Sequence, residues 1–138
     1  MTKKFILLIL FLLVSLLPTI ANPNWVQVDD KIYVDTNSLR KENFGNYYSL
    51  WTKILNNGSK FFLDSENYYN KKIGYRLTQG YYDCDSKRSA LKSVVDYDLT
   101  GVIAIWSHTY EDYNLLYESI APGTVREALY NYACTGKF

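Results

Sequence analysis

Histidine is almost missing from this 138-residue chain, in which His108 is the single one, and Cys84 and Cys134 are the only thiols. That is too few soft ligands for a zinc site, and two thiols without nearby histidines do not make one. Acid–base and nucleophilic chemistry are equally short of parts, because a catalytic base needs an orienting partner and a nucleophile within reach. Ser107 adjoins His108, but neighbours along a strand point to opposite faces. His108 is therefore read as a surface or loop residue, no residue as catalytic, and nothing in the pattern asks for a cofactor or metal. Proline is scarce too, with three in the chain, and no low-complexity tract or internal repeat suggests a linker or a second domain. No basic stretch is dense enough to attract phosphate backbones, which excludes nucleic acid as a partner. Finally, the longest apolar run, Phe5 to Leu17, has 13 residues, whereas a helix crossing a bilayer takes roughly 20.

That short run is built like a secretion signal. Lys3 and Lys4 precede it, and Pro18, Thr19, Ile20 and Ala21 follow it, giving a basic start, an apolar middle and a small residue at the cut. Cleavage after Ala21 divides the chain into a signal peptide, 1–21, and one domain, 22–138. No cysteine follows the run, so a lipid anchor has no attachment point and no permanent membrane anchor is expected. Without Lys3 and Lys4, 13 basic side chains stand against 14 acids, a formal charge of about −1. Both cysteines lie in the exported part, where oxidants let a disulfide persist. A Cys84–Cys134 bridge would close a loop of about 50 residues and stabilise the fold by roughly 4 kcal/mol in the chain-entropy model.

Hydrophobic periodicity supplies the elements. Trp25–Val28 and Lys31–Asp35 are β-rich runs around Asp29-Asp30 and predict an opening hairpin. Tyr47–Leu55 is long enough for a full strand and is stopped by Asn56-Asn57-Gly58, a hairpin-type turn. The stretch Phe61–Asn70 has no clean period and reads as an irregular excursion. Ile73–Cys84 changes parity about Gly80, where a bulge could switch faces. Arg88–Leu99 puts Leu91, Val95, Tyr97 and Leu99 on one face, and Gly101–Trp106, apolar throughout, reads as a strand covered on both sides. After Pro122-Gly123, Thr124 and Glu127 have the spacing of a capping box, and Val125, Ala128, Leu129 and Tyr132 recur at helical spacing. On that helix Cys134 falls on the far side from Val125, which predicts a loosening near Ala133 and an exit at Gly136. The fold class is α+β: five to six antiparallel strands with one C-terminal helix packed on them and tethered by a disulfide.

The acids Asp83, Asp85, Asp96 and Asp98 alternate on two strands that could be neighbours, but a calcium site needs several oxygens converging from a loop with its own turn glycine. Solvated strand ends account for them. The 14 tyrosines are the most unusual feature. One reading has them filling the edges of a half-buried core, ring inward and hydroxyl to water. The other starts from the adjacent pairs Tyr47-Tyr48, Tyr68-Tyr69 and Tyr81-Tyr82, in which alternation should turn one member away from the core, and exposed tyrosine is what recognition surfaces favour. With Lys71, Lys72 and Arg76 at the rim, these pairs form a candidate surface for a protein or glycan partner.

In order along the chain, Trp25-Val26-Gln27-Val28, Ile32-Tyr33-Val34-Asp35 with Ser38-Leu39-Arg40, Leu50-Trp51, Tyr82-Asp83-Cys84 with Arg88, and Ile120-Ala121-Pro122-Gly123-Thr124 leading through Glu127 to Cys134 resemble the surface-adhesin protein E family of small exported bacterial domains. The resemblance implies a curved antiparallel sheet with the C-terminal helix pinned to it by Cys84–Cys134. It also implies an adhesin-like binding module that recognises host or cell-surface macromolecules and sits in the periplasm, on the cell surface or in the medium. The alternative is a periplasmic ligand-binding or envelope-maintenance protein without adhesion.

Overall fold

The computed structural model describes residues 22–56 and 72–138. The segment read as a signal peptide, the excursion Phe61–Asn70 and the Asn57-Gly58 turn lie outside the described residues. Within them, six strands pair in chain order in one antiparallel sheet: β1 Trp25–Asp29, β2 Ile32–Lys41, β3 Tyr47–Leu55, β4 Ile73–Asp83, β5 Arg88–Asp98 and β6 Ala104–Thr109. A two-residue strand, β7 Glu118–Ser119, pairs with the start of β5, and the helix α1, Val125–Thr135, ends the chain. No helix among the described residues is long and apolar enough to cross a membrane.

Alternation gives the sheet two unlike faces. On one, Val34, Leu50 and Tyr82 are buried against Leu129 and Ala133 of α1 and against Ile120, with Val28, Leu39, Tyr48 and Val125 packed around them. Burial of side chains of this size contributes about 1.5–3 kcal/mol each, and the cluster under α1 holds six buried residues among those described. Local bonds set the ends of α1. The Thr124 hydroxyl accepts from the Glu127 N–H at 3.2 Å, while a Glu127 carboxylate oxygen accepts from the N–H of Gly123 at 2.8 Å, one residue earlier than in the usual reciprocal box. Gly136 ends the helix at φ 73°, a left-handed conformation that glycine adopts without steric cost.

Cys134 is joined to Cys84 with their Cα atoms 5.7 Å apart, and there is no free cysteine. The expected loosening near Ala133 does not occur, because α1 runs unbroken to Thr135. The buried stripe is centred on Leu129 and Ala133 rather than on Val125, and Cys134 follows Ala133 by about 100° around the helix. It therefore lies on the flank that meets the end of β4.

Two strand assignments need correction. The bulge at Gly80 is present, but the extra residue is Lys92 on β5, so β5 is the strand that changes faces: Leu91 lies opposite Gly80, while Val95 and Tyr97 point the other way. Leu99 lies beyond β5 and is exposed. The apolar run Gly101–Trp106 is not a covered strand. Val102 and Ile103 are 79% and 60% exposed in the β5–β6 connection, and β6 is a sheet edge. Asp98 sets that boundary, because its carboxylate accepts hydrogen bonds from the Thr100 hydroxyl and the Gly101 N–H and turns the chain early.

Two outcomes follow from this architecture. Native and denatured protein should take up no thiol label without reductant, and Cys134→Ser should destabilise the fold by about 4 kcal/mol in denaturant unfolding. Thr124→Ala should cost about 1 kcal/mol, and an unchanged midpoint would place the helix start elsewhere.

Candidate functional site

The face of the sheet away from α1 carries aromatic side chains in register. Trp25, Asp35, Trp51 and Gln79 form one cross-strand row over β1–β4, Tyr33, Lys53, Leu77 and Val95 form the next over β2–β5, and Tyr75 pairs with Tyr97 in a third. All are half-buried. The Lys53 ammonium lies over Trp25 at 4.5 Å, Tyr75 at 5.6 Å and Tyr33 at 5.9 Å from the ring centroids, a set of cation–π contacts that holds three rings around one charge. Tyr75 and Tyr97 stack with centroids 4.7 Å apart, and the Tyr75 hydroxyl donates to the Gly101 carbonyl. Burial, followed by the neighbouring Tyr97 and Asp98, raises the Tyr75 phenol above its ordinary pKa. The result is a rigid platform of rings interleaved with Asp, Gln and Lys, suited to contact by ring face and hydrogen bond together.

At the other end of this face a second aromatic cluster closes over itself. Phe44 lies 5.1 Å from Tyr47 and 6.1 Å from Tyr81, and Tyr47 meets Tyr117 edge-on at 5.6 Å. Asp83, buried beneath them, accepts from the Tyr47 hydroxyl, from Arg88 at 3.1 Å, and from the backbone N–H groups of Asp85 and Ser86. Burial pushes the Asp83 carboxyl up, but the bonds from Ser86, Arg88 and Tyr47 outweigh it and hold the group below the usual carboxylate range. Tyr117 moves the other way, to about 12, through burial and the nearby Tyr47 and Asp83.

The tyrosine pairs are not where alternation alone predicts. Tyr81 and Tyr82 are both buried, at 7% and 4% exposure. Tyr82 lies in the core under α1, and Tyr81 is covered on the opposite face by Phe44 and by Lys92, whose ammonium is 5.7 Å from its ring. The pair fails as an exposure signal because loops add a second layer at this end of the sheet. Tyr48 packs against the core from the helix side and Tyr47 is half-buried in the Phe44 cluster. Arg76 is on the helix side, where its guanidinium grips buried Asp96 in two bonds of 2.6 and 2.8 Å. Lys72 is exposed, and Tyr68, Tyr69 and Lys71 lie outside the described residues. The aromatic rows containing Tyr33, Trp51 and Tyr75 lack adjacent pairs. The signal for them is parity: Trp51 and Lys53 alternate against the core residue Leu50.

His108 is exposed on β6, stacked on Trp106 and edge-on to Tyr110 at 4.4 Å. It pairs with Val94 and Ser107 with Val95, so the two point to opposite faces. The acids are separately employed: Asp85 accepts from Asn46, Asp96 from Arg76, and Asp98 shapes its loop. Among the described residues, no three His, Cys, Asp or Glu side chains converge as a metal site.

The chain is thus a disulfide-tethered sheet that presents rings in register on one face. The chain belongs to the surface-adhesin protein E family, whose model matches residues 25–135. Among curated proteins and among solved structures, nothing matches it. Family membership supports an adhesin-like role at an exported or surface location, and the disulfide fits a site outside the cytoplasm.

The carboxylates make stability depend on acid. Asp83 is held low as described, Asp98 is lowered first by the Thr100 hydroxyl, and Glu127 first by Lys87. Because the folded values lie below the unfolded ones, the unfolded chain binds more protons as pH falls, and the stabilisation present near neutrality is lost on acidification. The thermal midpoint should hold near neutrality and fall below about pH 4.5, and Asp83→Asn should flatten that acid limb.

Proposed function

We propose that this is an exported bacterial binding module, not an enzyme, that holds a protein or glycan on a host or cell surface through the aromatic face of its sheet. The observation that carries the reading is the row set around Lys53, in which Trp25, Tyr33 and Tyr75 surround one ammonium with Trp51 alongside. Such a face offers large, rigid contact area at low entropic cost and needs no titrating group. Tyr47 and Lys72 belong to its margin, and residues 1–21 act as the secretion signal that delivers domain 22–138 outside the cytoplasm.

Fractionation and cell binding test this together. The protein should be found on the cell surface or in the medium, and purified domain should bind intact target cells. Tyr33→Ala and Trp51→Ala should each weaken that binding by roughly five- to thirtyfold without unfolding the domain, while His108→Ala should leave it intact. Retention wholly in the periplasm would favour the envelope-protein alternative. Normal binding by both aromatic variants together with loss in the His108 variant would overturn the aromatic-face reading.

A further inference from the structure

The helix side of the sheet holds a separate cavity. Helix α1 covers one end of its face, where Val125 and Leu129 meet the core, and beyond it the sheet becomes the floor of a cleft of about 480 Å³. That lies within the range of roughly 300–1,000 Å³ used by small-molecule sites. The floor is unusual for a core-facing surface. Thr52 and Thr78 sit directly opposite each other across β3 and β4, followed on β4 by Gly80 and Tyr82.

Gly80 is what lets the tyrosine lie as it does. A Cβ at that position would come within 2.8 Å of the Tyr82 hydroxyl oxygen, so the ring lies back along β4 with its hydroxyl over the glycine. Thr52 and Tyr82 are each only 4% exposed. Arg88 Nε is the one buried side-chain polar atom without a partner among the described residues, so the hydroxyl oxygens of Thr52, Thr78 and Tyr82, which no described residue bonds, stay open to the cleft they line. Burial also raises the Tyr82 phenol well above its ordinary pKa, with Arg126 opposing, so the group stays a neutral donor.

Much of the wall is aliphatic. Ile54 and Leu129 line the cleft, and Leu91 and Leu116 stand at 42% and 83% exposure beside it. Its charged residues, Arg126 and Glu118, pair with each other at 2.7 Å and leave no net charge for a ligand. An ionised head group entering here would lose water without gaining a counter-charge.

We propose that this cleft binds a small uncharged amphiphile, its apolar body against Leu91, Leu116 and Leu129 and its hydroxyl or carbonyl groups on the hydroxyls of Thr52, Thr78 and Tyr82. The site is on the opposite face from the aromatic rows and does not depend on them.

An NMR titration of the 22–138 domain with 1-monooctanoylglycerol, below its micelle-forming concentration, tests this, with octanoate as the ionised counterpart. Saturable shifts are expected at the amides of Thr78, Gly80, Tyr82 and Leu91, with octanoate about tenfold weaker or more. Tyr82→Phe and Thr78→Val, which remove one hydroxyl each and keep the shape, should each weaken binding about fivefold. If Tyr82→Phe alters the fold, Thr78→Val at the half-buried position decides. The proposal is overturned if neither probe shifts these amides, if octanoate binds as well as the glyceride, or if both hydroxyl variants bind like the parent. Shifts that follow protein concentration instead of probe would assign the cleft to a second copy of the chain, and equally overturn it.

Discussion

The covalent link and two of the polar ties that hold α1 to the sheet converge on the turn between β4 and β5. Cys84 carries the covalent bond to Cys134, and its carbonyl accepts from the Tyr130 hydroxyl. Three residues on, Lys87 pairs with Glu127 at 2.8 Å, and its carbonyl accepts the Ile120 N–H. On the other side the same turn is tied to β3, through the Cys84 N–H to the Asn46 carbonyl and through Asp85 to the Asn46 side chain. Asp83 at its base organises the turn by accepting two of its backbone N–H groups. Among the described residues α1 adds two buried side chains, Leu129 and Ala133, to the core, and the covalent link reinforces that packing by restricting the unfolded chain.

Among the described residues, the division of labour between the faces follows from one α-helix packed on one side of the sheet. The helix covers Leu50 and Tyr82, and the sheet beside it, around Thr52, Thr78 and Gly80, forms the cleft floor. No helix among the described residues covers the opposite face, where the rings of the cross-strand rows are half-buried. Half-buried rings with polar edges tolerate that position better than aliphatic side chains do, and cations laid over ring faces reduce the apolar area exposed, as Lys53 and Lys92 do.

Much of this architecture is legible from the residues. The strand Tyr47–Leu55, the capped helix start at Thr124 and the Gly136 exit are local signals, and each is found where the sequence places it. The errors arise where side chains outside the run itself decide the outcome. The apolar character of Val102 and Ile103 suggests a covered strand, but the Asp98 carboxylate folds them into a turn. Alternation says that Tyr81 should be exposed if Tyr82 is buried, but Phe44 and Lys92 cover it. Neither the aromatic platform nor the cleft can be read from one strand, because each depends on register: Trp51 beside Asp35 and Gln79, and Thr52 opposite Thr78.

The position of the disulfide also bears on how the domain meets proteases. Its covalent loop encloses β5, β6, β7 and α1, and with them the exposed Val102–Ile103 tip. A peptide bond broken anywhere between Cys84 and Cys134 leaves the two pieces covalently joined for as long as the bridge is oxidised, with β5 still paired to β4 on one side. An exported domain arranged in this way can be nicked at its exposed Val102–Ile103 tip without shedding a fragment.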